Sequence, residues 1–240
     1  MTATRVPGFL PSAAGLHFPN AFPHIPLREV RLEGIATLSI GDAANGLCGG
    51  MSFTTADLFA AHFAPPADRQ PPSGGSRFES IVDRQIDSFA GGVVPLRFYS
   101  LMDPSRPDRE PPWAPWLGRL GIDRHSRTYV MAHEEWPAIH AELDAGRLAL
   151  LGLVRVIDRD PRLLGRNHQV LAYGYDLDGG TLAMRIYDPN APDDDDVTLT
   201  LDVSDPMATA EPAYSAPGPP VVCFFRAPYT PADPVAWRSP

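Results

Sequence analysis

Three short segments hold residue types that do chemistry when they are brought together. The first is Asn45-Gly46-Leu47-Cys48-Gly49-Gly50-Met51, a tight turn running into an apolar stretch. A cysteine at the start of a helix faces unsatisfied backbone N–H groups and the positive end of the macrodipole. Both favour thiolate, so the position suits a nucleophile. Gly49 and Gly50 each cost about 1 kcal/mol relative to Ala inside a helix, so they predict close approach by substrate or sheet. The plain alternative for Cys48 is a small buried hydrophobe. The second segment is Asn167-His168-Gln169-Val170-Leu171-Ala172-Tyr173-Gly174-Tyr175, and the third runs from Thr181 to Asp188 (TLAMRIYD). Between them Asp176 to Gly180 (DLDGG) signals a hairpin turn.

The hairpin can be given a register. Val170, Ala172 and Gly174 share a face with His168, and Leu182, Met184 and Ile186 share one with Asp188, so paired residue numbers must have an even sum. A three- or five-residue loop centred on Asp178 then places His168 opposite Asp188, with Cβ atoms about 4.5–5.5 Å apart. A register two residues away brings Asn190 opposite instead. Either side chain can orient an imidazole, completing a nucleophile, base and orienter set, while a purely structural His–Asp pair is the alternative.

Composition narrows the chemistry further. The chain has 240 residues and a formal net charge of -9, and all 20 of its basic residues are Arg. Without Lys there is no P-loop nucleotide site, no Schiff base or pyridoxal chemistry and no Ser-Lys hydrolase. The acidic balance, with no basic run, argues against nucleic-acid or anionic-membrane partners. Cys48 and Cys223 make no disulfide framework, the N-terminus lacks an apolar signal region, and no apolar run approaches the ~18 residues of a membrane span. A soluble, cytoplasmic protein is expected, with no cofactor or metal. His133-Glu134 and His140 do not make a zinc helix, because HExxH requires a second His where Pro137 stands. Asp193 to Asp196 lacks the spacing of a calcium loop and reads as solvated. Cys223, in VVCFF, reads as a core strand residue, and neither GxSxG nor GxGxxG occurs.

The elements that must position these residues follow from periodicity and punctuation. Residues 1–27 read as a Pro-rich irregular extension, 28–228 as one domain and 229–240 as a tail. Within the domain, Glu29 to Ile40 reads as a strand and Gly46 to Phe63 as a mostly apolar, central helix. Ser76 and Glu79 form a capping box opening a helix with Phe78, Ile81, Val82, Gln85 and Phe89 on one face, stopped by Gly91 and Gly92. Residues 102–121 form a Pro-rich loop around Trp113 and Trp116, read as a plug on the core or a cleft wall. Trp136, Ile139 and Leu143 mark a helix with Pro137 in its first turn and Gly146 at its end. Strands are expected at 148–157, 168–175, 181–188, 197–203 and 221–225. Helices first and strands afterwards point to an α+β fold with a largely antiparallel sheet.

GLCGGM, NHQVLAYGYD and IYDPN, in that order over roughly residues 45–203, resemble the papain-like cysteine peptidase superfamily, and most closely its C39-peptidase-like group. The resemblance implies a papain-like α+β fold, the nucleophile helix packed on the C-terminal sheet. It implies Cys48 as nucleophile, His168 as base and then acid, and Asp188 as orienter of a peptidase or amidase working through an acyl-enzyme. The spacing is 120 residues from Cys48 to His168 and 20 more to Asp188. Two features depart from the family pattern. The CGSCW-type signature is absent, and Asp42 stands six positions ahead of Cys48 where no Gln is available as oxyanion donor. Asn45 or the Cys48 backbone N–H is the expected substitute, and Asn190 the alternative orienter. The implied partner is a peptide or a small amide or thioester. The alternatives are an acyl or peptidyl transferase on the same site, or a non-catalytic binding protein on the same scaffold.

Overall fold

The strand that carries His168 is the axis of the fold in this computed structural model, which describes residues 1–27, 29–32, 36–39, 43–110, 125–205 and 210–238. In chain order the strands are β1 (Thr2–Arg5), β2 (Glu29–Leu32), β3 (Ala36–Ser39), β4 (Ala149–Val154), β5 (His168–Asp178), β6 (Thr181–Tyr187), β7 (Thr198–Asp202), β8 (Ala213–Tyr214) and β9 (Cys223–Arg226). The helices are α1 (Pro11–Ala14), α2 (Cys48–Ala60), α3 (Gly75–Asp87), α4 (Val93–Met102) and α5 (Trp136–Asp144). A short helical turn and a π-helical stretch, Val130–Glu135, lead into α5.

β5 is long enough to take two partners along one edge. Its first half pairs with β4, from Leu153↔His168 to Ala149↔Ala172, and its second half with β1, from Arg5↔Gly174 to Thr2↔Leu177. The sheet runs in the order β8-β7-β6-β5-β4-β9 with β1 against β5, and every pairing is antiparallel. This is an α+β molecule with helices on a curled antiparallel sheet, the general class expected.

α2 is apolar all round because it lies between two cores. Residues Gly49 to Leu58 are all buried. Phe53 and Ala56 join the sheet side with Leu151, Val170 and Phe225, whereas Met51 and Leu58 meet Phe78 and Ile81 of α3 together with Leu16, Phe18 and Trp237. The glycines permit this contact. A Cβ on Gly50 would lie 2.1 Å from the Ile81 carbonyl oxygen, and one on Gly49 would lie 2.3 Å from Ser88 Oγ and 2.9 Å from Gln169 Nε2. Close approach is what the sequence predicts, and the approaching groups are helix α3, the serine that follows it and one sheet side chain.

Several expectations are corrected. Glu29 to Ile40 is not one strand; β2 and β3 pair with each other as a hairpin. Ser76 does not cap α3, which begins at Gly75 after Gly74 and has no side-chain cap. Residues 93–102, unassigned from sequence, form α4; Pro95 sits in its first turn, where a missing N–H costs nothing. The N-terminal segment holds β1 and buries Val6, Phe9, Leu16, Phe18 and Phe22, and the tail buries Trp237. Apolar side chains spaced among prolines bury without a regular period, so periodicity could not show them.

The Asp193 to Asp196 run is not simply solvated. Asp195 accepts from the Ser12 N–H (2.9 Å) and hydroxyl (2.6 Å), and Asp193 pairs with His17 (2.5 Å) and Arg69. The two alternate carboxylates thus pin the N-terminal segment, while Asp194 and Asp196 face solvent. Trp113, Trp116 and Asp42 lie outside the described residues. Among the described residues no helix is long and apolar enough to cross a membrane.

Candidate active site

The nucleophile candidate sits where the sequence places it. Cys48 is the first residue of α2, preceded by the N-cap Leu47 at φ −122°, and it is half-buried. The first amides of a helix have no intrahelical partner, and two of those near Cys48 are taken by side chains. Leu47 N–H donates to Asn20 Oδ1 at 2.6 Å, and Gly50 N–H donates to Gln85 Oε1 at 2.9 Å. Cys48 is hydrogen-bonded to His168 and accepts the backbone N–H of Gln169. Burial alone would raise its pKa. The charge of His168 and these two hydrogen bonds outweigh burial, and the thiol lies below its ordinary value.

His168 and Asp188 are both buried, with side-chain exposures of 4% and 0%. His168 Nε2 lies 2.6 Å from Asp188 Oδ1, so this nitrogen carries the proton that the carboxylate accepts, and Nδ1 is left for Cys48. Asp188 also accepts the Asn190 N–H at 2.8 Å and the Tyr214 hydroxyl at 2.6 Å. Burial would raise the Asp188 pKa, but the charge of His168 and these donors hold it down at about 2. In the same way burial would lower the His168 pKa, and Asp188 and Cys48 push it up to about 9. His168 is therefore held as imidazolium beside the Asp188 carboxylate, and its charge draws Cys48 toward thiolate.

The register that brings His168 and Asp188 together is not the one expected. The turn has two residues, Gly179 and Gly180, and the pairs from Asp178↔Thr181 to Gly174↔Arg185 have an odd sum. A β-bulge between Ala172 and Gly174 then restores the even sum, giving Ala172↔Ile186 and Leu171↔Tyr187. The Gly-Gly dipeptide makes the tighter turn possible, and the bulge corrects the alternation it would otherwise spoil. Continued to His168, this register brings Asn190 opposite, and Asn190 Nδ2 is indeed 3.3 Å from His168 Nε2. Asp188 reaches the ring from the end of β6. Both candidate orienters stand beside the imidazole, and the shorter contact, between a donor and an acceptor, is with Asp188.

The structure thus gathers Cys48, His168, Asp188 and Asn190. Asn45 lies in the turn Ala43–Asn45 just ahead of α2, its side chain outside the described part. Sequence reasoning missed Asn20 and Tyr214. Tyr214 lies in a two-residue strand with no motif around it, and its ring carries the guanidinium of Arg155 at 5.4 Å. Cys223, wholly buried in β9, has its pKa pushed up by burial to about 12. Glu134 pairs with Arg97, and His140 contacts Tyr175 and Asp144. Among the described residues no group of three or more His, Cys, Asp or Glu is placed to hold a metal ion. Comparison with protein families, with curated proteins and with solved structures finds no match in any of the three.

Proposed function

We propose that the protein is a papain-like cysteine hydrolase, a peptidase or amidase similar to the C39-like group, acting through Cys48, His168 and Asp188. The observation that carries this reading is the hydrogen-bonded chain from Cys48 at the N-terminus of α2, through His168, to the buried Asp188. The Cys48 thiolate attacks a substrate carbonyl carbon, and the electron pair moves to the carbonyl oxygen. The Cys48 N–H and the positive end of α2 are the groups available to that oxyanion. Collapse expels the leaving group, which takes the proton from His168 Nδ1 and leaves an acyl-enzyme. His168 then removes a proton from water, which attacks the thioester and frees the thiolate. Transfer to an amine shares the first half and differs only in the acceptor.

The lysine-free composition gives the thiolate a narrow basis. Its acidity rests on His168 and the Gln169 N–H, to which the N-terminus of α2 adds its dipole. An activated ester tests the chemistry without knowledge of the natural substrate. With 4-nitrophenyl acetate in excess, a burst of about one 4-nitrophenolate per protein is expected, with the acetyl group located on Cys48 by mass spectrometry. Cys48→Ala and His168→Ala should each abolish the burst. A slow release that is the same in all three proteins would contradict the proposal.

A further inference from the structure

Asn20 lies 28 positions ahead of Cys48, in the segment that reads as an irregular extension, yet it touches both halves of the site. Its backbone N–H donates to the Pro189 carbonyl at 2.9 Å, its Oδ1 accepts the Leu47 N–H at 2.6 Å, and its Nδ2 donates to Asn190 Oδ1 at 3.2 Å. The turn before Cys48 is shaped around it. Gly46 has φ +92°, and a Cβ there would lie 2.7 Å from Asn20 Nδ2.

The polarity of this relay is forced. Leu47 N–H can only donate, so it must face Asn20 Oδ1, which leaves Nδ2 to donate to Asn190. Asn190 must then turn its oxygen to Asn20 and its NH2 group to His168 Nε2. An NH2 group cannot accept the Nε2 proton. Asp188, at 2.6 Å, is left as the acceptor.

We infer that Asn20 is a positioning residue: by fixing the amide of Asn190 it assigns the orienting role to Asp188, and it ties the nucleophile's turn to the loop beside the base. The inference rests on the cysteine-hydrolase reading. Without Asn20 the Asn190 amide is free to flip, and its oxygen then competes with Asp188 for the imidazole proton. Drawn toward that oxygen, the ring turns out of line with Asp188 and Cys48, and the thiolate loses its hydrogen bond from the imidazole. The ionisable groups around the pair among the described residues, Asp188, Tyr214 on its second oxygen, Arg155 over the Tyr214 ring, Asp194 near that tyrosine and Tyr187 beside Asp188, are left in place by the substitution.

The test is a double-mutant cycle on the pH dependence of Cys48 alkylation by iodoacetamide, in wild type, Asn20→Ala, Asn190→Ala and the double variant. Thermal unfolding reads the fold of each, and Asn20→Ser stands in if the alanine variant does not hold it. Asn20→Ala is expected to slow alkylation at pH 6 about three- to tenfold, the effect of a thiol pKa raised by about half a unit to one unit. In the Asn190→Ala background, where no amide remains to flip, the same substitution should do little. A wild-type-like profile for Asn20→Ala, or effects that simply add, overturns the role of Asn20. An ordinary thiol profile in the wild type overturns the hydrolase reading itself, so the two failures are distinct.

Discussion

Burial alone would raise the Asp188 pKa, and it is the charge of His168 and the donors around the carboxylate that hold it down. Its two oxygens take three hydrogen bonds, from His168, the Asn190 backbone N–H and the Tyr214 hydroxyl. The same residue type behaves oppositely where such groups are missing: Cys223, in the core, is held up at about 12, while Cys48 is lowered. Tyr214→Phe removes one donor and leaves the carboxylate less stabilised, by about 1.5–3 kcal/mol for a hydrogen bond to a charged group. The Asp188 pKa should rise, support for the imidazolium should fall, and Cys48 alkylation at pH 6 should slow about threefold or more. Unchanged alkylation in a folded Tyr214→Phe protein would show that the hydroxyl does not act through Asp188.

Among the elements, the join between α2 and α3 is set by what a single methyl group would meet. At Gly50 the obstacle is the backbone oxygen of Ile81, which cannot move without moving α3. At Gly49 the nearest groups are the side chains of Ser88 and Gln169, which can turn aside. Gly50→Ala is therefore expected to cost about 1–3 kcal/mol or more, and Gly49→Ala less, read from urea midpoints at constant slope. Equal costs would mean that the helices adjust as freely as the side chains do. The two glycines were legible as a pair that demands close approach, because their cost in a helix needs a reason. Which groups approach was not legible, since α3 and the β5 side chain lie far along the chain. The bulge was hidden for a related reason. Face matching fixed the even sum near His168, but the two-residue turn imposes an odd one, and only a local irregularity reconciles them.

Over the whole molecule, both chain ends are folded onto α2 and the sheet. Asp57, in α2, holds the C-terminal segment: it pairs with Arg84 and accepts the Tyr229 hydroxyl (2.6 Å) and the Ala232 N–H (2.9 Å). Asp57 is 3% exposed and Arg84 7%, so Asp57→Ala takes the buried carboxylate from a guanidinium that keeps Asp87 and the Thr230 carbonyl, and leaves the Tyr229 hydroxyl and Ala232 N–H without their acceptor. A loss of about 1–3 kcal/mol is expected, with earlier proteolytic cleavage near Tyr229. A tail cleaved no faster than in the wild type would contradict this anchoring. The general α+β class and the Cys48, His168 and Asp188 positions were readable because each depends on short-range pattern: a turn into an apolar helix, a hairpin, an Asp-Pro at a strand end. Asn20 and Tyr214 were not readable, because each acts across the fold and neither stands in a segment with a period or a motif.

The central claim is that Cys48 is held as a thiolate by His168. The direct measurement is the rate of Cys48 alkylation against pH, in the native protein and in His168→Ala. The lowered Cys48 pKa puts the rise in rate below that of an ordinary thiol, with a second change as His168 loses its proton near pH 9. In His168→Ala the low-pH reactivity should vanish and the second change with it, while Cys223 stays unmodified until the protein unfolds. A single rise near the ordinary thiol pKa of about 8.5, the same in both proteins, would contradict the account.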